Sequence, residues 1–162
     1  MMTVRLRVGL MAARWALAGR RLDGDGTSRI ALRCRVVDCD INWHMNNGRY
    51  LGFMDMGRWH YCLTHGIAHM FMRWKWRPMA VHAEIDFKKA IHPGQTFELE
   101  TYLSAVGTKS VTFTQRFWLG EELASEAHVV VVFTAPDGTQ PVARMMEALP
   151  ALSTRLPVLV EA

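Results

Sequence analysis

The sequence predicts an α+β domain in which one long central helix is wrapped by a curved antiparallel sheet of about five strands. Three observations carry that prediction. Residues 48–66, GRYLGFMDMGRWHYCLTHG, contain no proline and carry apolar and aromatic side chains on nearly every side, the pattern of a helix enclosed by other structure. From residue 79 to residue 135 strand-like segments follow one another across short turns, the order expected of antiparallel neighbours. Nothing else in the chain can cover so apolar a helix, so the sheet must curl around it.

The elements follow in chain order. Val4, Val8, Met11, Trp15 and Leu22 recur at helical spacing, so the N-terminal segment reads as an amphipathic helix. The apolar run 8–13 is broken by Arg14 and is too short for a signal peptide. Up to Arg35, eight arginines against Asp23 and Asp25 leave a net charge of +6, while the remainder holds eleven basic and thirteen acidic residues. A packed helix with a solvated basic face accounts for this, and a peripheral membrane contact or a surface for an anionic ligand is the sharper alternative. No nucleic-acid-binding motif accompanies the charge. Residues 1–28 are therefore read as a basic extension of a single domain spanning 1–162, long enough to bury roughly 70% of its unfolded surface.

Residues 29–37, RIALRCRVV, alternate cleanly. Ile30, Leu32, Cys34 and Val36 share one face, and Arg29, Arg33 and Arg35 share the other, as in a half-buried strand. The polar cluster DCDINWHMNN comes next. Asn46 or Asn47 can cap the long helix, and Gly66 can end it. Gly48, Gly52 and Gly57 lower its intrinsic propensity and imply close approach of another backbone. Residues 67–78 read as a connection whose Arg73–Trp74–Lys75–Trp76–Arg77 run is either an amphipathic loop or a surface for phosphates. Strands are expected over 79–90, 96–105, 110–119 and 122–135. The run VVVVF in the last suits a strand covered on both faces. The tail from Pro141 is helical and irregular in character.

Composition narrows function. Three cysteines at 34, 39 and 62 form no CxxC pair and fit reduced thiols in a cytoplasm. Seven histidines never form HxH or HExxH, so no metal centre is expected. The polar cluster is the chemical candidate. A helix start offers unpaired N–H donors and partial positive charge, which would stabilise the oxyanion of an acyl carbonyl. A carboxylate beside it could attack that carbonyl or deprotonate a water that does. Asp40 would be that carboxylate, with Asn42 and His44 as further polar groups. Asp38 suits a turn-forming role better, and Asn46 and Asn47 suit capping.

The stretch resembles the active-site segment of hotdog-fold thioesterases, roughly D-x-D-x-x-x-H-V-N-N-x-x-Y, matched by Asp38, Asp40, His44, Met45, Asn46, Asn47 and Tyr50, then Asp55 and Arg58. It is similar to 4-hydroxybenzoyl-CoA-type thioesterases. The run D-x-N-x-H-x-N-N, through Asp40, Asn42 and His44, also resembles plant-type acyl-ACP thioesterases. The likeness extends through FKKAIHPGQTFELETYL and covers most of 30–135. It implies catalysis by Asp40, a thioester polarised by the N–H of Asn47 or Gly48, and Asp55 as reserve base. It implies a substrate surrounded by Trp43, Asn46, Gly48 and Tyr50. Lys88, Lys89 and Lys109 are candidates for coenzyme A phosphates. Trp43 departs from the pattern, which often has glycine there.

The function this implies is hydrolysis of an acyl-CoA, with coenzyme A only as part of the substrate and no separate cofactor. An acyl-ACP thioesterase and a non-catalytic acyl-binding sensor are the alternatives. A homo-oligomer is expected, because a single curved sheet leaves edge strands that need cover.

Overall fold

The computed structural model describes residues 26–148; the amphipathic helix read in the N-terminal extension and the end of the tail lie outside them. Strand β1 (Thr27–Arg33) leads through a 3-10 turn (Val36–Asp38) and a loop into α1 (Asn47–Thr64) and α2 (Ile67–Trp74). Strands β2 (Arg77–Phe87), β3 (Thr96–Val106), β4 (Ser110–Leu119), β5 (Glu122–Ala135) and a two-residue β6 (Gly138–Thr139) follow, then α3 (Ala143–Ala148). All strand pairs are antiparallel and the order is β1-β3-β4-β5-β2, with β6 beside β5. One helix held by a curled antiparallel sheet is the expected architecture. Among the described residues no helix is long and apolar enough to cross a membrane.

The two-residue period decides what α1 meets. Phe97, Leu99, Thr101 and Leu103 of β3, Val111, Phe113, Gln115 and Phe117 of β4, and Ala127, Val129, Val131 and Phe133 of β5 are all buried. Against them α1 packs Phe53 on Phe97 with ring centroids 5.2 Å apart, Tyr50 on Phe117 at 4.9 Å and Tyr61 on Phe113 at 5.4 Å. Gln115, a polar residue in this apolar row, is fully buried and satisfied: its Nε2 donates to the Met54 carbonyl at 2.9 Å and to Thr101 Oγ1 at 3.0 Å. Val130 and Val132, on the outer face of β5, are half-buried, so the VVVVF run is covered fully on one side only.

Four details differ from the sequence reading. Strand β1 stops at Arg33, and Val36 does not follow Ile30 and Leu32 inward; it is 63% exposed. The Asp38 carboxylate accepts the Arg35 N–H at 3.0 Å and folds the chain into the 3-10 turn, which ends the alternation. Residues 67–74 form a helix, since Ile67, Met70 and Phe71 recur on one face and are buried; Trp76 then turns inward to stack on Phe133. Of the three α1 glycines only Gly57 answers to a close neighbour, where a Cβ would lie 2.7 Å from Gln115 Nε2 and from Thr101 Oγ1; at Gly52 nothing lies within 4 Å. The close approach at Gly57 is to side chains of the sheet. Finally, α1 is enclosed by the sheet and, where Trp59 meets Phe71, by α2, but not all round, leaving Leu51 49% exposed.

The long edge strand β2 is exposed along most of its length and carries a bulge between Ala80 and His82, with Val81 the extra residue.

Candidate active site

The loop between β1 and α1 is built on hydrogen bonds of its own backbone. Cys39 and Met45 form an antiparallel bridge, the Asp40 N–H donates to the His44 carbonyl at 3.1 Å, and the Trp43 N–H donates to the Asp40 carbonyl at 3.1 Å. The Met45 N–H reaches the Ile91 carbonyl at 2.7 Å and the Asn46 N–H reaches the Asp38 carbonyl at 2.9 Å, so the loop is tied to the segment before β3. Trp43 sits at φ 55°, the left-handed region that favours glycine. This is the position where the family pattern often has glycine. Its side chain is 63% exposed, and its carbonyl accepts His92 Nδ1 at 2.8 Å.

The two aspartates divide their roles. Asp38 is 1% exposed, receives Arg49 Nε at 3.0 Å and Arg49 Nη2 on the same oxygen, and holds the Arg35 N–H on the other. It ties three pieces of chain together and has no surface to give a substrate. Asp40 is half-buried, and its Oδ1 accepts the Asn42 N–H at 2.9 Å in an Asx-turn. The second carboxylate oxygen has no partner among the described residues.

At the start of α1, Asn46 is the N-cap, its Oδ1 accepting the Gly48 N–H at 2.9 Å while its carbonyl accepts the Arg49 N–H at 2.8 Å. Gly48 is thereby occupied. The Asn47 N–H has no acceptor among the described residues, so of the two donors named from sequence it is the one available to a carbonyl.

The other sequence candidates scatter. Asn42 is exposed and joins Asp40 through its backbone only; His44 is half-buried with Nδ1 3.3 Å from the Met45 carbonyl, and it too meets Asp40 through its backbone and not its ring. The three polar side chains are therefore neighbours in sequence without a hydrogen bond linking them. Tyr50 is 2% exposed between Phe87 and Phe117, and burial pushes its hydroxyl up to about 12. Lys88 and Lys89 follow β2, whose last residue packs on Tyr50, so both lie towards the start of α1; Lys89 pairs with Glu122. Lys109 lies in the β3–β4 turn. The eleven residues of β3 separate that turn from the loop by about 30 Å, so Lys109 is not brought to Asp40.

Asp55 lies two turns along α1 from Asn47, with its side chain 41% exposed and 3.3 Å from Arg58 Nη2. Arg58 is largely buried; its Nη1 donates to Gln115 Oε1 at 2.9 Å, and desolvation holds its guanidinium below the usual range, partly offset by Asp55. The pair stands at an open cavity of about 590 Å³ lined further by Cys62, Ile67, Phe133 and Met145. No residue of the 38–48 loop lines it. Burial pushes the Cys62 thiol up to about 12, so it stays protonated at the cavity wall. The sequence reading missed Gln115 and the cavity. The signal for Gln115 was its place among Val111, Phe113 and Phe117.

Comparison with known proteins bears on this geometry. A family model described as "Thioesterase-like superfamily" matches residues 34–151. No curated protein matches the sequence. Solved structures share the fold. YbaW, a probable thioesterase from Escherichia coli, superposes with a TM-score of 0.71 at 17% identity, over 76% of this chain and 97% of that one. Slr0204, a 1,4-dihydroxy-2-naphthoyl-CoA thioesterase from Synechocystis, gives 0.67 at 16%, over 79% and 96%. A DHNA-CoA thioesterase from Staphylococcus aureus gives 0.69 at 16%, over 83% and 97%. At these identities the likeness carries the fold alone.

Proposed function

Because this chain belongs to the thioesterase-like superfamily, we propose that it hydrolyses an acyl-CoA thioester to the free acid and coenzyme A. The observation that carries the reading is what the loop leading into α1 leaves uncommitted: one oxygen of a half-exposed Asp40 carboxylate, and an Asn47 N–H with no acceptor among the described residues. A thioester carbonyl accepting that N–H would have its oxyanion stabilised by a fixed dipole at a helix terminus.

Two routes fit the residues. Asp40 can take a proton from a water whose oxygen adds to the carbonyl; collapse of the tetrahedral adduct then breaks the C–S bond, and the proton passes to the departing thiolate. Alternatively, the carboxylate adds directly and expels the thiolate, and water cleaves the mixed anhydride to restore Asp40. Lys88 and Lys89, towards the same end of the molecule, suit the phosphates of coenzyme A. The exposed edge of β2 suits pairing with a second copy.

Asp40→Asn is the decisive variant, because asparagine keeps an oxygen to accept the Asn42 N–H while losing the charge. Free-thiol release over aromatic and aliphatic acyl-CoAs should fall by about 10²–10⁴-fold with the melting temperature unchanged. Undiminished turnover in that variant would overturn the assignment.

A further inference from the structure

Two of the three cysteines meet beside the Asp40 loop. Cys34 Sγ lies 3.5 Å from Cys39 Sγ, and Cys39 Sγ also lies 3.4 Å from the Arg35 carbonyl. The 3-10 turn between them brings this about. The Arg35 N–H donates to the Asp38 carboxylate at 3.0 Å and the Asp38 N–H donates to the Arg35 carbonyl at 2.9 Å, so the residues flanking the turn converge. The two thiols have different surroundings. Cys34 is 0% exposed and its backbone is fixed on both sides, its N–H on the Gln95 carbonyl at 2.9 Å and its carbonyl on the Gly94 N–H at 2.8 Å. Cys39 is half-buried and stands one residue before Asp40. Cys62, on the cavity wall, makes no hydrogen bond to another thiol among the described residues.

We propose that Cys34 and Cys39 are a site of reversible oxidation by hydroperoxides, and that the disulfide they form displaces the Asp40 loop and lowers turnover. The effect on turnover rests on the thioesterase reading; the oxidation does not. The accessible Cys39 thiolate attacks one peroxide oxygen, the O–O bond breaks, Cys39 becomes a sulfenic acid, and the other oxygen leaves as alcohol or water once protonated. The Cys34 sulfur then attacks the Cys39 sulfur; the S–O bond breaks, and hydroxide leaves with the Cys34 proton as water. Two thiols thus give two electrons and two protons to one peroxide, and a dithiol reductant returns them. Burial, ahead of the contact with Cys39, pushes the Cys34 thiol up to about 12, which suits it to the second step and not the first. Bonded sulfurs stand about 2.05 Å apart, so the pair must close by roughly 1.5 Å. Cys34 is anchored, so the movement falls on Cys39. Asp40 follows, because the Cys39–Met45 bridge and the bond from the Asp40 N–H to the His44 carbonyl make one short ladder. A misplacement of about 1 Å at a reacting group can cost about 10²-fold in rate.

The test treats the full chain with hydrogen peroxide, removes the excess, and compares it before and after dithiothreitol. Intact mass, tryptic peptides, amide hydrogen exchange and release of free acid from a panel of acyl-CoAs are read on each sample. The oxidised chain should lose the mass of two hydrogen atoms. Cleavage after Arg33, Arg35 and Arg49 should then yield residues 34–35 joined to residues 36–49. Exchange over residues 38–46 should change, turnover should fall at least tenfold, and dithiothreitol should restore both. Cys39→Ser and Cys34→Ala should match reduced wild type and lose the response to peroxide; Cys34→Ser replaces Cys34→Ala where the latter melts well below wild type. Absence of the 34–39 link at peroxide concentrations that oxidise Cys62 overturns the proposal. So does a link that leaves exchange and turnover unchanged, or an inactivation that persists in Cys39→Ser. A reversible link that alters exchange, in a chain without turnover in either form, would sustain the oxidation site and sink the hydrolase reading.

Discussion

Gly57→Ala adds a single methyl group to α1, and the structure specifies what it meets. The new Cβ would lie 2.7 Å from Gln115 Nε2, 2.7 Å from Thr101 Oγ1 and 2.8 Å from Leu99 Cδ2. Thr101 is β-branched and stiff at χ1. Gln115 can swing away only by releasing the Met54 carbonyl, Thr101 and Arg58. Overpacking costs about 1–3 kcal/mol. A buried amide left without partners adds about 1–3 kcal/mol, and the better helix propensity of alanine returns about 1 kcal/mol. The net is a destabilisation of about 3 kcal/mol, or a fall of roughly 6–12 °C in melting temperature for a chain of this size. Gly52→Ala, in the same helix with nothing nearby, gains only the propensity term and should raise the midpoint by about 2–4 °C. Thermal unfolding followed by circular dichroism reads both. A midpoint for Gly57→Ala at or above wild type would refute the argument that the helix is seated by the absence of this side chain.

Further outcomes follow from the same geometry. Asp38→Asn removes the charge that Arg49 and the Arg35 N–H share, and should cost about 3 kcal/mol in urea unfolding, against no loss for Asp40→Asn. Equal stability of the two variants would contradict the division of roles. Glu126 has its carboxyl held below its ordinary 4.5, first by the hydrogen bond from Arg116. That contribution is present above pH 4.5 and is lost as pH falls through the lowered value, so Glu126→Gln should flatten the acid limb of a stability–pH profile and leave pH 7 to 5 parallel to wild type. Trp43→Val should lower the melting temperature more than Trp43→Gly, because a β-branched residue is strained at φ 55° and glycine is not. Iodoacetamide at pH 8 should label Cys39 well before Cys34 and Cys62, whose thiols burial pushes up to about 12; mass mapping that finds Cys62 modified first would show the cavity wall open.

The parts legible in the sequence were those governed by periodicity. The two-residue alternation of Phe97, Leu99, Thr101 and Leu103 predicts the inner face of β3, and the absence of proline from residue 48 to residue 66 predicts α1; both hold within a residue or two. Helix α2 was obscured because its short apolar face runs at once into Arg73–Trp74–Lys75–Trp76–Arg77, which disguises an eight-residue helix as a loop. At the loop, the motif located Asp40 and the helix start but could not say which N–H was left over. That depended on a rotamer, Asn46 Oδ1 turned to Gly48, which no spacing specifies. Val36 continued the alternation on paper. A side chain three residues from Arg35 in sequence, Asp38, ended it in space. The cavity was invisible for a further reason: its wall gathers residues far apart in sequence, from Asp55 to Met145.

The bulge at Val81 has a consequence for how the sheet can grow. An added strand pairs with β2 through the N–H and C=O groups that face away from β5, and at Val81 the spacing of those groups is broken by one residue. The regular edge is therefore divided into residues 77–80 and residues 82–87. A regular strand can run uninterrupted along only one of these segments, whereas a strand with its own bulge opposite Val81 can follow the whole edge. A second copy of this chain, meeting β2 antiparallel to itself, satisfies that condition only in a register that places the two bulges face to face. The bulge thus selects among pairings, discouraging strands of arbitrary sequence from adding to an edge that is otherwise long, apolar in places and open.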